Sequence, residues 1–347
     1  MNRTLPLFDA HCDTAMKVLD QGADFLSEDG GAHVSLPGMI AAGLRAQVFA
    51  CFVLEERFPG RAVERAEEMI KAIEGMISSS AGAMTKVVDR SGLDAAFSGG
   101  PIAAIVGLEG ADPLEGRAEN LRRFFDLGVR DLIFAWKDNP FSGTAFGQDR
   151  PLSQEGERLL GLAEELGVMV DVSHLSDSAF QGVVSMARRP FIASHSDCRA
   201  ICPHPRNLTD PMIRALADAG GVMGINLAPM FLDPGYHRKA GPLFEASGKP
   251  GVSEEEKKRL RLEVDRLPRP GLDSAVRHVL HAIDVGGEDA VGLGGDLDGI
   301  SKTPLGIETV ADYPRLVDLL REAGLSERQV EKVCYRNFLR VFGEVLP

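Results

Sequence analysis

The stretch Phe8-Asp9-Ala10-His11-Cys12-Asp13, near the start of the chain, places an imidazole and a carboxylate two residues apart. On a β-strand, residues i and i+2 point to the same face, so His11 and Asp13 would project side by side. This arrangement suits a shared metal ion, although a surface histidine beside an aspartate in a turn would give the same pair. The choice depends on whether other strands supply metal-binding side chains at matching positions.

The pattern of a short apolar run followed by a longer amphipathic stretch repeats along the whole chain. Most of the runs are apolar at consecutive positions, as expected for parallel strands that are buried on both faces. Gly128, Gly167 and Gly220 stand where three of the intervening helices should end. The predicted strands are residues 7–13, 44–53, 102–109, 131–136, 168–174, 191–195, 222–227 and 290–296. The predicted helices are residues 61–78, 117–127, 154–166, 177–187, 209–219 and 326–342, with Asp177, Thr209 and Ser326 as N-caps.

Eight strands that alternate with helices predict an α/β protein with a (β/α)8 TIM barrel of the metal-dependent hydrolase type. The alternative is a doubly wound open sheet, but no glycine-rich phosphate turn follows an early strand. No linker or break in composition divides the chain, so residues 1–347 are predicted to form one catalytic domain. Residues 229–270 follow the seventh strand and are expected to form a helical insertion near the barrel mouth. Cys12 should point away from His11 and Asp13, into the barrel wall.

Composition excludes several classes of function. The net charge of −13 argues against a nucleic-acid partner and against anionic membranes. The chain has no apolar run of about 18 residues and no room for a signal peptide before residue 7. Its five cysteines are scattered without a zinc-clip spacing. The sequence therefore predicts a cytoplasmic protein with reduced thiols.

Metal-binding side chains follow five of the predicted strands. Alone, each has an ordinary explanation: a hydrogen-bonded histidine, a loop carboxylate, or aspartates that form a turn. Together, at the carboxyl ends of barrel strands, they would be costly to bury without a cation. The set is His11, Asp13, Glu109, His174, His195 and Asp296.

This number of ligands exceeds one tetrahedral zinc site, which takes three or four protein ligands. It is enough for two ions bridged by one carboxylate, a known hydrolytic arrangement. Imidazole with carboxylate suits zinc, although the spacing does not exclude manganese or iron.

Taken together, the motifs resemble the renal or membrane dipeptidase family (peptidase family M19), binuclear zinc barrels of the amidohydrolase superfamily. The likeness runs nearly end to end, and the motifs are specific only in combination. They are Phe8-Asp9-Ala10-His11-Cys12-Asp13, Gly107-Leu108-Glu109-Gly110, Val170-Asp171-Val172-Ser173-His174, Ser194-His195-Ser196, Pro205-Arg206-Asn207, Gly294-Gly295-Asp296-Leu297-Asp298-Gly299 and Asn337-Phe338-Leu339-Arg340-Val341-Phe342.

The resemblance implies a role for each ligand. His11 and Asp13 would hold one Zn²⁺ ion and His174 and His195 the other, with Glu109 as a catalytic carboxylate that bridges the two ions. A hydroxide between the ions would attack the peptide bond of a dipeptide, either L-Xaa-D-Xaa or L-Xaa-L-Xaa.

Two further roles follow from the same resemblance. Asp296 would accept a proton from the attacking water and deliver it to the leaving amine. Arg206 would bind the terminal carboxylate of the substrate, although without the resemblance a surface salt bridge is the better interpretation.

The alternative reaction is a metal-dependent deamination or decarboxylation of a small carboxylate-bearing substrate. A non-catalytic metal or ligand binder is the third hypothesis.

The chain departs from the mammalian pattern at one position. Mammalian members carry a substrate-contacting histidine after the fourth strand, where this chain has Trp136. Tryptophan donates one N–H and cannot be protonated. Either Trp136 shapes the substrate pocket and another group supplies the donor, with Asn139 as a candidate, or the substrate preference differs from that of the mammalian members. The mammalian secretion signal and lipid-anchor tail are also absent, which predicts a soluble, bacterial-type member. A homodimer is expected from the family and from the frequency of such dimers.

Overall fold

The strands form one parallel sheet that closes on itself. The computed structural model describes residues 5–53, 55–249 and 251–347. The strand order is β2-β1-β9-β8-β7-β6-β5-β4-β3, and an additional pairing of β2 with β4 completes an eight-stranded barrel. This closure confirms the predicted TIM barrel and excludes the open sheet. The strands are β1 Leu7–Cys12, β2 Leu44–Phe52, β3 Met84–Lys86, β4 Ile102–Glu109, β5 Val129–Ile133, β6 Met169–Asp171, β7 Ile192–Ala193, β8 Val222–Ile225 and β9 Val291–Leu293.

Helices surround the barrel and link its strands. They are α1 Thr14–Gln21, α2 Leu36–Ala42, α3 Ala62–Ser79, α4 Arg90–Phe97, α5 Leu121–Asp126, α6 Gln154–Leu166, α7 Asp177–Met186, α8 Asp210–Asp218, α9 Pro229–Leu232, α10 Pro234–Ser247, α11 Glu254–Asp265, α12 Asp273–Gly286, α13 Tyr313–Glu322, α14 Glu327–Glu331 and α15 Asn337–Val345. A π-helical turn, Lys332–Arg336, joins α14 to α15, and 3-10 turns occupy Asp112–Leu114, Ala118–Asn120 and Val310–Asp312. Within the described residues, no helix combines the length and apolar character needed to cross a membrane.

Three details differ from the sequence prediction. Strand β3 pairs only with the first residues of β4 and was not predicted, since it is three residues long. The helix predicted over 117–127 begins as a 3-10 turn and becomes α-helical at Leu121, a common geometry at helix starts. Ser176 rather than Asp177 caps α7, because its side chain accepts a hydrogen bond from the backbone of Ala179.

The strands are shorter than predicted at their carboxyl ends because side chains take over the backbone hydrogen bonds. Oδ1 of Asp171 accepts from the backbone N–H groups of Ser173 and Ser194 at 2.8 and 3.0 Å. Oδ1 of Asp9 accepts in the same way from His11 and Gly295 at 3.0 and 3.2 Å. The backbone groups stay satisfied while the chain leaves the regular sheet, which turns its side chains toward the barrel axis.

The amino end of the barrel is closed by the carboxyl-terminal helix. Phe338 and Phe342 of α15 reach Phe8 of β1, with ring centroids 5.6 and 5.2 Å apart. Gly292 of β9 permits this approach, because a Cβ there would lie 2.3 Å from the Phe338 ring. Cys12 is buried in the larger apolar cluster, together with residues that face the surrounding helices, as predicted.

The segment predicted as an insertion is largely helical. It contains α9, α10 and α11 between β8 and α12, and Pro250 within it lies outside the described residues. Its first helices approach the barrel mouth: the Phe231 ring lies 4.7 Å from that of His204, which belongs to the loop after β7. The division of the chain into one domain with this insertion stays a prediction.

Candidate metal centre

The structure brings six predicted site residues together at the carboxyl ends of the barrel strands. His11 and Glu109 lie in the last residues of β1 and β4, the others follow β1, β6, β7 and β9, and their ligand atoms form three overlapping groups. Within each group, all ligand atoms lie within 4.8 Å of one another. The groups are His11, His195 and Asp296; Glu109, His174 and His195; and His11, Asp13 and Glu109.

Glu109 links two of these groups because its carboxylate oxygens face different histidines. Oε2 lies 3.4 Å from Nε2 of His11, which is itself 3.5 Å from Oδ2 of Asp13. Oε1 lies 3.0 Å from Nε2 of His174 and 3.9 Å from Nε2 of His195. One oxygen of the Glu109 carboxylate therefore lies beside His11 and Asp13, and the other lies beside His174 and His195.

Several of these atoms are buried without a hydrogen-bond partner among the described residues. They include Nδ1 and Nε2 of His11, Oδ1 of Asp13 and Nδ1 of His174. Each such atom costs roughly 1–3 kcal/mol if it stays unpaired. Nε2 of His174 and Nε2 of His195 also lie only 2.9 Å apart. Imidazole nitrogen and carboxylate oxygen are zinc ligands, so the residues present fit a metal ion.

The histidine pair and Glu109 have the charge states that metal binding needs. Burial lowers the pKa of His174 to about 3, and Arg206 acts in the same direction. Burial together with His11 holds the pKa of His195 well below its usual value. Burial opposes ionisation of Glu109, but His11 and His174 outweigh it and lower its pKa. At neutral pH the pair is neutral, as imidazole ligands are, and Glu109 is ionised.

His195 is oriented by its sequence neighbour. Oγ of Ser194 lies 2.7 Å from Nδ1 of His195, and Oγ of Ser173 accepts a hydrogen bond from the His195 backbone at 3.2 Å. When Nδ1–H donates to Ser194, Nε2 presents its lone pair to the ligand group. Asp171 fixes this arrangement through its bonds to the backbone of both serines.

Asp296 lies beside the ligands in a constrained backbone position. Its φ of +56° belongs to the left-handed region, which costs about 1–3 kcal/mol for a residue other than glycine. Oδ2 accepts a hydrogen bond from Nδ2 of Asn226 at 2.9 Å, and burial raises the Asp296 pKa to about 6. Gly299 leaves room for the carboxylates, because a Cβ there would lie 2.4 Å from Oδ1 of Asp296 and 2.2 Å from Oδ2 of Asp13.

Arg206 is buried next to the histidine pair, with only 3% of its surface exposed. This removes the alternative of a surface salt bridge. Nη1 donates to Oγ of Ser196 at 2.6 Å and Nη2 donates to the backbone carbonyl of His195 at 2.9 Å. Nε has no partner among the described residues. A buried guanidinium with a spare N–H can bind an incoming carboxylate.

Trp136 lies beside the predicted ligands. Its ring centroid is 6.1 Å from that of His174. It also packs on Phe52 and Phe146, at 5.1 and 5.9 Å. The indole therefore forms part of the wall next to a predicted metal ligand.

Asn139 is not brought to the ligands. Its Nδ2 donates to the backbone carbonyl of Phe134 at 2.8 Å, and its Oδ1 accepts from the backbone of Phe141 at 2.9 Å. These hydrogen bonds join the Asn139 side chain to the backbone of the loop that carries Trp136. The structure thus gives no support to the predicted substrate contact of Asn139 and replaces it with a loop-stabilising role.

Sequence reasoning missed four residues around the site: Ser194, Asn226, Phe146 and His204. Ser194 and Asn226 had a readable signal, since both are polar residues at the ends of predicted apolar strands. Phe146 and His204 lie in irregular loops, where no periodicity indicates the direction of a side chain.

Comparison with known proteins places the chain in a family. A family model described as membrane dipeptidase (peptidase family M19) matches residues 1–346. An uncharacterised protein in the pqqA 5′ region of Klebsiella pneumoniae is 30% identical over 295 residues, which are 83% of this chain and 98% of that protein.

Two solved structures share the fold along their whole lengths. The crystal structure of the dipeptidase AC, a metallopeptidase of family M19, gives a TM-score of 0.84 at 26% identity, covering 99% of both chains. A metallopeptidase from Rhodobacter sphaeroides, liganded with a phosphinate mimic of the dipeptide L-Ala-D-Ala, gives 0.83 at 25% identity, covering 99% of this chain and 100% of that one. The chain therefore belongs to the membrane dipeptidase family, peptidase family M19, as its motifs predicted.

Proposed function

We propose that this protein is a zinc-dependent dipeptidase that hydrolyses L-Xaa-D-Xaa or L-Xaa-L-Xaa dipeptides. The observation that carries the proposal is the buried guanidinium of Arg206, whose Nε lacks a partner among the described residues, beside a cluster of metal-binding side chains. Membership of family M19 supports peptide hydrolysis. The dipeptide mimic bound by the Rhodobacter sphaeroides relative supports a substrate with a D-residue at its carboxyl end.

Two zinc ions are the proposed cofactors. His11 and Asp13 would hold one ion, His174 and His195 the other, and Glu109 would contact both. The separate directions of the two Glu109 oxygens support this division. Zinc supplies Lewis acidity in such a site, where it activates water and polarises a carbonyl oxygen.

The side chains of this protein would perform the remaining steps. Asp296 would take the proton of the attacking water and pass it to the leaving amine, since its carboxylate lies within 4.8 Å of the ligand atoms of His11 and His195. Asn226 would keep that carboxylate in place through its hydrogen bond. Arg206 would bind the substrate carboxylate, while Trp136 lines the pocket. The cytoplasmic location and the homodimer stay predictions.

The test is hydrolysis of a dipeptide panel by the Zn²⁺-loaded protein, with parallel chelator-treated samples. We expect free amino acids from L-Ala-D-Ala or L-Ala-L-Ala in the loaded sample alone. Carboxyl-terminal amides should be cleaved at least ~10-fold more slowly, because they lack the charge that Arg206 binds. The proposal fails if no dipeptide in a broad panel is hydrolysed.

Matched variants assign the roles. Asp296→Asn should keep its zinc and lose turnover, which separates a proton-transfer role from a metal-binding one. Arg206→Gln should raise KM for dipeptides without changing KM for their amides. Arg214→Gln is its control, because Arg214 is an exposed arginine of the next helix, α8. Equal effects of the two arginine variants would contradict the assignment of Arg206.

A further inference from the structure

Five rings form a continuous arc along one side of the metal centre. Successive centroids are 5.1, 5.9, 5.9 and 4.7 Å apart, within the range of aromatic contacts. The rings come from the end of β2, the loops after β5 and β7, and helix α9. This aromatic arc consists, in order, of Phe52, Trp136, Phe146, His204 and Phe231.

The arc touches both functional parts of the site. The Phe146 ring lies 5.8 Å from the ring of His174. Its neighbour His204 accepts a hydrogen bond at Nδ1 from the backbone of Arg206, at 3.0 Å. Phe146 therefore stands between a metal-binding imidazole and the loop of the buried guanidinium.

Phe146 keeps an accessible ring despite these contacts, with 48% of its surface exposed. Covering exposed apolar surface is favourable by roughly 25 cal/mol per Å². The neighbouring His204 adds no charge, because burial, assisted by His237 and Arg206, lowers its pKa to about 3. The exposed surface of this part of the arc is therefore mainly the apolar ring of Phe146.

We propose that Phe146, together with His204 and Phe231, binds the side chain of the carboxyl-terminal residue of the dipeptide, and that this side chain is apolar. The inference rests on the proposed function, in which Arg206 binds the carboxylate of that same residue. Arg206 and His204 belong to one loop, and the His204 ring lies 5.9 Å from that of Phe146, so a carboxylate on Arg206 would bring the adjoining side chain toward this end of the arc. Trp136 and Phe52, at the other end of the arc, would contact the amino-terminal residue of the dipeptide.

The experiment compares kcat/KM of the zinc-loaded protein on L-Ala-Xaa dipeptides, with Xaa as Ala, Leu, Phe, Asp or Lys in both configurations. Leu and Phe should exceed Ala by about 10-fold, and Asp and Lys should fall below Ala. Phe146→Ala should lower the Phe-to-Ala ratio of kcat/KM by about 10-fold. Phe146→Leu should retain most of the preference.

Ile40→Ala is the matched control. Ile40 is 58% exposed on α2, beside the first residues of β2 and β4 and thus at the opposite end of the barrel. Truncating it removes a comparable exposed apolar group, and every substrate ratio should stay at the wild-type value.

A binding measurement complements the kinetics. Trp136 is the only tryptophan of the chain and its ring lies 5.9 Å from that of Phe146. Its fluorescence should therefore report occupancy of the arc. Free phenylalanine, the expected product, should change the emission at lower concentration than free alanine, and Phe146→Ala should abolish this difference.

The outcomes separate the two claims. If dipeptides are hydrolysed but Phe146→Ala leaves the ratios unchanged, the inference is overturned and the dipeptidase stands. A wild-type preference for Asp or Lys at the carboxyl-terminal position would overturn the inference in the same way. So would a Phe146→Ala variant whose kcat/KM ratios change only when the amino-terminal residue is varied, in Xaa-L-Ala dipeptides. If no dipeptide is hydrolysed, the proposed function is overturned and this inference falls with it.

Discussion

At the amino end of the barrel, Phe8 is fully buried against Phe338 and Phe342, and no ligand is needed to complete the packing. A few residues further along the same strand, His11 and Asp13 carry buried nitrogen and oxygen atoms without hydrogen-bond partners among the described residues. One end of β1 is satisfied by apolar contacts within the chain. The other end carries unpaired ligand atoms that fit the proposed metal ions.

The backbone shows the same contrast. Five non-glycine residues in the described chain have positive φ, and three of them, His174, Asp296 and Asp298, lie at the carboxyl ends of strands. Such strain persists only where surrounding structure holds it. Asp298 illustrates this, since its Oδ2 accepts hydrogen bonds from the Thr14 hydroxyl at 2.7 Å and from the Val34 backbone at 3.2 Å. We therefore expect variants at the two ends to have separable effects on stability and on the proposed reaction.

The largest effect is expected from Glu109→Gln. The loss of one charged oxygen between two histidine-containing groups should reduce bound zinc and lower kcat/KM by on the order of 10³-fold or more. Metal analysis and steady-state kinetics on the same sample measure both. Glu164→Gln is the control, because Glu164 is also buried but accepts hydrogen bonds from the backbone of Arg188 and Arg189, at 2.6 and 2.9 Å. Full zinc content in Glu109→Gln would contradict the bridging role.

Phe8→Ala tests the opposite end. Removing this ring should lower the free energy of unfolding by about 3–5 kcal/mol, because α15 cannot refill the space. Urea denaturation measures the loss, with the exposed Phe244→Ala as a control expected within about 0.5 kcal/mol of wild type. The folded fraction of Phe8→Ala should keep its zinc and a kcat/KM within about 3-fold of wild type. Loss of metal from folded Phe8→Ala would show that the two ends are not separable.

Ser194→Ala tests how His195 is oriented. Without the hydroxyl at Nδ1, the ring loses the partner that fixes its tautomer, and zinc affinity should fall about 10–100-fold. Competition with a chromophoric chelator measures this affinity. Unfolding of the metal-free variant should differ little from wild type, and an unchanged zinc affinity would rule out the orienting role.

Ser196→Ala gives the smallest effect and differs from Ser194→Ala in kind. The Ser196 hydroxyl accepts from Nη1 of Arg206, so its loss should loosen the guanidinium and raise KM for dipeptides about 10-fold. Zinc affinity should stay at the wild-type value, because Ser196 makes no contact with a ligand nitrogen among the described hydrogen bonds. These two serines flank His195, and a common effect of both variants on zinc would mean that they act on the histidine loop as a whole.

Much of this architecture was predictable from the sequence because two features coincide at the strand ends. An apolar run ends there, and a polar side chain stands at or just after its last residue. That double signal located His11, Glu109, His174 and His195 at the strand ends. The alternation of side chains along a strand also predicted the opposite directions of Cys12 and its neighbours.

Other features could not be predicted because they depend on contacts distant in the sequence. Asp171 shortens β6 by accepting the backbone N–H of Ser194, 23 residues away. Asn139 carries the same donor groups whether it faces substrate or its own loop, and only the fold decides between them. Phe146 stands in an irregular loop, so its place in the aromatic arc follows from tertiary packing alone.

We propose that two zinc ions complete a dipeptidase site at the carboxyl end of the barrel. Titration of metal-free protein with Zn²⁺, with dipeptide hydrolysis and bound metal measured at each point, tests it most directly. We predict that activity rises until about two ions are bound per chain and then stays constant. Full activity with a single bound ion, or in the metal-free protein, would contradict it.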